Sequence, residues 1–198
     1  MTVAAPARVA VLGQPLAEAR VRELLRRRST ASRLRAALGR EEQVSLDGLV
    51  YWPVALVHAR AEGQGRGTWV ERIQGAVDLV SGRVGLVDLQ LEDPRWCTVQ
   101  DAHRIPPRVP RGVAELRWHE FFRDHVDRRR KPMRPPALSI DRIQEVWLPA
   151  HLVTVGGRRY LVDALTARVD ELADFPYVEG VLTERAATHP EGADACRA

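Results

Sequence analysis

The chain has little lysine, little cysteine and no long apolar run. Lys131 is its single lysine among 30 basic residues. The positive charge is therefore nearly all arginine, a skew that a GC-rich genome produces without any phosphate ligand. Cys97 and Cys196 stand roughly a hundred residues apart. That spacing makes neither a disulfide framework nor a zinc pattern, and it predicts a reducing, cytoplasmic setting. No stretch reaches the roughly 18 apolar residues of a membrane-spanning helix. The opening MTVAAPARVAVLG has neither the basic start nor the continuous apolar core of a signal peptide, so a soluble cytoplasmic protein is expected.

Catalytic signatures are also missing. His119-Glu120 begins like a zinc-protease helix, but Arg123 occupies the position where a second histidine is required. GQGRG (63–67) has the composition of a phosphate loop, yet TWVERI after it reads as a strand and not as a helix start. No G-x-S-x-G elbow or Walker motif occurs.

What is present is ordinary for a folded protein. Of 198 residues, 45% are hydrophobic and 28% charged, enough for a substantial core, and the net charge is only +4. RVAVLG (8–13) predicts a short strand. A helix follows from Pro15, with Ala17, Val21, Leu24 and Leu25 on one face. A second helix, capped by Ser29 or Thr30 and ended by Gly39, is either separate or continuous with the first. Residues 49–61 read as a strand and 68–80 as its partner, with a bulge at Gly75. IPPRVP (105–110) is an extended connector. Residues 112–130 then predict a helix burying Trp118, Phe121, Phe122 and Val126, which KPMRPP ends.

One odd phrase occurs twice. VYWPVALVHA (50–59) and VWLPAHLVTV (146–155) each place proline inside an apolar strand, two residues after an aromatic. Downstream, VDLVSGRV (77–84) matches VDALTARV (162–169), pairing Asp78 with Asp163 and Arg83 with Arg168. Residues 46–92 and 140–175 therefore read as diverged copies of one β unit, which one hairpin alone would not stabilise. Proline lacks a ladder donor, so Pro53 and Pro149 are expected at a sheet edge or bulge.

The V-D-x-x-[ST]-[GA]-R-V piece resembles the closing hairpin of PepSY-type domains over about eight residues in each copy. That resemblance implies a hairpin closed by an aspartate and a Ser/Thr-Gly turn, and a role in binding or inhibiting a partner outside the cytoplasm. Ala167 stands where the first copy has the turn glycine.

The fold class expected is α+β: an N-terminal Arg-rich helical segment and two related antiparallel β units separated by a central helix. The boundaries are 1–45 for the helical segment, 46–104 for the first β unit, 105–138 for the proline-bracketed helix, 139–182 for the second unit and 183–198 for a polar, disordered tail.

The candidate residues each have a plain structural reading beside the functional one. Asp78 and Asp163 are expected to cap their turns, because Ser or Thr follows each at the same offset. Glu120, Asp124 and Asp127 share a helix face that could hold a cation, but Arg117, Arg123 and Arg128 lie near enough to form ion pairs with them. His58 and His151 occupy non-equivalent positions of the repeat, which disfavours a shared histidine site.

The leading expectation is a non-catalytic cytoplasmic binding or scaffold protein without a cofactor or metal. It would take a protein or peptide at strand edges near Trp52, Pro53, Trp147 and Pro149. The alternative is a nucleic-acid or other polyanion binder using arginine clusters at 20–40 and 128–134, with Arg26, Arg27, Arg28, Arg33, Arg35, Arg128, Arg129, Arg130 and Lys131 as contacts. An enzyme centred on Glu120, Asp124, His125 and Asp127 ranks third.

Overall fold

The computed structural model describes residues 6–27, 43–64, 67–87, 93–132 and 134–188. Within them lie strands β1 (Ala7–Val11), β2 (Val44–Gln64), β3 (Thr68–Asp78), β4 (Val84–Leu86), β5 (Arg95–Val99), β6 (Ala137–Val155), β7 (Arg158–Asp163) and β8 (Val169–Glu171). The helices are α1 (Glu18–Arg27), α2 (Arg111–Arg130) and α3 (Pro176–Thr188). The class is α+β. The second helix expected after Ser29 lies outside the described residues. Residues 183–188, expected in a disordered tail, belong to α3. No described helix is long and apolar enough to cross a membrane.

The chain divides into two compact units, each drawn from separated stretches. The first comprises Met1–Trp52, Glu92–Ile105 and Trp147–Ala198; the second comprises Pro53–Leu91 and Pro106–Val146. The long strands β2 and β6 contribute residues to both.

In the second unit the hydrogen-bonded order is β4-β3-β2-β6. One face of β2 offers Ala55, Val57, Ala59 and Ala61, all buried. Small residues at alternate positions let a helix approach closely, and α2 lies there with Ala114, Trp118, Phe122 and Val126 at intervals of four. Gly75, expected to bulge β3, instead pairs in regular register with Val57. Its missing side chain is what accommodates Trp118, for a Cβ there would lie 2.1 Å from two indole carbons. α2 stops where Lys131 adopts a left-handed conformation (φ 46°) and donates its N–H to Asp127 O.

In the first unit β1 pairs antiparallel with β5 and, at Val11–Trp147, parallel with β6. β7 pairs with β6 and β8 with β7. The expected apolar stripe of α1 is buried at Val21 and Leu25, against Val153, Val155, Tyr160 and Val162. Gly156 and Gly157 both have positive φ (56° and 78°) and join β6 to β7 as a two-residue hairpin turn. Cys97 is disulfide-bonded, which departs from the free thiols expected; Cys196 lies outside the described residues.

The two prolines do not free a strand edge. Pro53 lies one residue beyond the Val54–Asp78 pair that ends the β2–β3 ladder, and its carbonyl accepts Leu79 N–H at 3.1 Å. The Leu79 carbonyl is already taken by Arg108 N–H and Val109 N–H, at 2.8 and 2.9 Å, so position 53 needs no donor. Pro149 likewise lies one residue beyond the Ala150–Asp163 pair and accepts Ala164 N–H at 3.1 Å. Both prolines are buried.

Candidate functional site

The aspartates of the repeated phrase are turn caps, as expected. Asp78 Oδ1 accepts the N–H groups of Val80 and Ser81 at 2.8 and 3.1 Å. Asp163 Oδ1 accepts those of Leu165 and Thr166 at 2.7 and 3.1 Å. In each hairpin the aspartate N–H donates to the arginine carbonyl five residues on, at 2.9 Å (Arg83 and Arg168). The turn residue before that arginine has positive φ in both, 75° at Gly82 and 55° at Ala167. A non-glycine residue is strained there. Ala167→Gly is therefore expected to raise stability by up to about 1 kcal/mol, read as a higher urea midpoint at unchanged m-value.

The tryptophans and prolines expected to bind a partner are engaged within the chain. Trp147 is buried with Val9, Val11, Tyr51 and Val99, and the Arg104 guanidinium lies 5.8 Å from its ring centroid. Trp52 meets Phe175 edge-on, with centroids 5.2 Å apart.

Most described members of the arginine clusters are also engaged within the chain. In α1, Arg27 pairs with Glu23 at 2.7 Å, and Arg26 is likewise engaged. Hydrogen bonding and charge from Arg20, with charge from Arg27, hold the Glu23 carboxyl below its ordinary pKa. Arg28, Arg33 and Arg35 lie outside the described residues. At the end of α2, Arg128 pairs with Asp124 at 3.3 Å. Arg129 and Arg130 converge on Glu71, at 3.2 and 2.6 Å. Glu71 is the one polar residue buried below a tenth of its surface among the described residues, at 7% exposure. Arg130 also lies over Trp69, 5.5 Å from its centroid. Lys131 is exposed.

His151 donates from Nε2 to Leu16 O at 3.0 Å. Burial lowers its pKa, and the Leu16 hydrogen bond offsets this in part. The folded chain therefore favours neutral imidazole, so the stability contribution is full above the unfolded pKa of about 6.5 and is lost as pH falls. Urea titrations are expected to lose stability between pH 7 and pH 5 more steeply for the wild type than for His151→Asn.

Among the described residues no group of three His, Cys, Asp or Glu side chains could hold a metal ion. A pocket of about 160 Å³ in the second unit is lined by Ala55, Leu79, Val109, Ile143, Arg108 and Glu145, among others. It is smaller than the roughly 300 Å³ of an ordinary small-molecule site.

The residue that stands out was not singled out by the sequence. Trp96, on β5, is 60% exposed. β5 pairs with β1 from Ala7–Val99 to Val11–Arg95, and no described strand borders its other side. Arg8 lies over Trp96, 5.9 Å from the ring centroid, and Arg95 beside it is exposed. The available signal was a tryptophan set among polar residues, in DPRWCTVQD (93–101), where alternation leaves it opposite the face of Cys97 and Val99. Comparison with family models, with curated proteins and with solved structures found no match for the chain.

Proposed function

We propose that the protein is a non-catalytic binding protein that takes an extended protein or peptide partner along the open side of β5. The observation that carries this reading is Trp96, a large aromatic exposed on a strand that, among the described residues, is paired on one side. An unpaired strand side offers main-chain donors and acceptors, and an exposed tryptophan beside it supplies the apolar anchor common at partner sites. Trp96 falls in the stretch 46–104 read as the first β unit.

The matching hydrogen bonds around Asp78 and Asp163 support descent of the two β units from one ancestor. The resemblance to PepSY-type hairpins agrees with a partner-binding role. Disulfides persist in oxidising compartments, so the bond at Cys97 favours such a setting over the cytoplasm.

A photo-crosslinking amino acid placed at position 96 tests the reading, with one at exposed Leu116 on α2 as control. Capture of one defined partner from position 96 and not from 116 is expected. Equal or no capture from both would sink the proposal.

A further inference from the structure

We propose that the segment taken along β5 is acidic, adding as a strand beside Arg95–Val99 with apolar side chains on the Trp96 face and carboxylates on the Arg95 face, in the positive charge of Arg95 and Arg8. This deepens the reading above and rests on it.

The pleat of β5 fixes which side chains flank the indole. Cys97 and Val99 face the core with Val9, Val11, Tyr51 and Trp147, which puts Trp96 and Thr98 on the opposite face. Arg8 pairs in register with Thr98 and so shares the face of Trp96. Arg95 starts the strand on the other face. A cation therefore flanks the indole on each side of the sheet. Neither Arg8 nor Arg95 is in an ion pair among the described residues, unlike Arg27, Arg128, Arg129 and Arg130. Among the described residues, Arg8 and Arg95 outnumber Asp93, the exposed carboxylate nearest in sequence to Trp96.

An added strand alternates its side chains with period two, so a segment with carboxylates at alternate positions sets them all on one face and apolar residues on the other. The same indole and arginines could stack a nucleotide base. The open row of main-chain groups favours a peptide, because it pairs with another main chain and not with a base.

The test is a fluorescence-anisotropy titration of the full chain with three labelled probes: an alternating Glu-Val decapeptide, an alternating Lys-Val decapeptide and a ten-nucleotide oligothymidylate. The Glu-Val peptide is expected to bind at least about tenfold tighter than the Lys-Val peptide, with the gap narrowing as salt rises. Trp96→Ala should abolish binding, and Arg8→Glu with Arg95→Glu should reverse the preference. Because all three side chains are exposed, each variant should keep the wild-type melting curve. Equal or tighter binding of the Lys-Val peptide overturns the acidic preference while leaving the strand site standing. If neither peptide binds, both readings fail. Oligothymidylate bound tighter than either peptide, and lost in Trp96→Ala, replaces the peptide with a nucleic acid.

Discussion

Gly75→Ala should cost at least about 2 kcal/mol of stability, placing it among the most damaging single-methyl additions available in this chain. The added Cβ would stand 2.1 Å from two carbons of the Trp118 ring and 2.7 Å from the Gly85 carbonyl oxygen. Neither neighbour gives way easily. Trp118 is fully buried and stacks on Phe122, with centroids 5.9 Å apart, and Gly85 belongs to the adjacent strand β4. Relief requires α2 to move off the sheet, which opens the contacts of Ala55, Val57 and Ala59. Chemical denaturation of the variant measures the loss directly. A stability within a few tenths of a kcal/mol of wild type would mean that Trp118 does not rest on Gly75. Gly85 is an internal control, since a Cβ there meets nothing within 4 Å.

The double variant Arg129→Ala, Arg130→Ala is expected to lose about 2–4 kcal/mol. Glu71 pairs in register with Ala61, on the sheet face that α2 covers. Its carboxylate therefore faces the carboxyl end of that helix, where the helix dipole already places negative charge. Two arginines in the last turn of α2 supply the compensation, and removing both strands a carboxylate that is only 8% exposed. The expected loss lies toward the lower part of the range for buried pairs, because the arginines are themselves 62% and 39% exposed and solvent screens them. Adding Glu71→Gln to the double variant should restore much of the stability, since it removes the stranded charge. If the triple variant is no more stable than the double, Glu71 is not the reason the arginines matter.

Local chemistry in this chain was legible in the sequence, and long-range pairing was not. Asp78 and Asp163 could be read as turn caps because their hydrogen-bond partners are two and three residues away. The core face of α2 followed from helical spacing, and α2 itself runs Arg111–Arg130 against an expected 112–130. The arginines at its end resembled a polyanion site because their partner, Glu71, is 59 residues from Arg130 in the chain. Gly75 suggested a bulge because nothing local showed that an indole would need its space. Pro53 and Pro149 suggested a free edge because a missing donor signals one only when the facing acceptor has no other partner. The carbonyl facing Pro53, that of Leu79, is filled by the connector residues Arg108 and Val109. Trp96 was the opposite case. A lone aromatic in a polar stretch has no periodicity to mark it, and only the strand order shows that no described strand borders the side of β5 away from β1.

On the proposed reading, a partner strand is added at β5. The decisive experiment is amide hydrogen exchange across Arg95–Val99, with and without the alternating Glu-Val decapeptide. Strand addition engages β5 amides that point away from β1, so their exchange should slow in the presence of the peptide, while amides of α2 remain unchanged. Binding of the peptide with no added protection in Arg95–Val99 would contradict it.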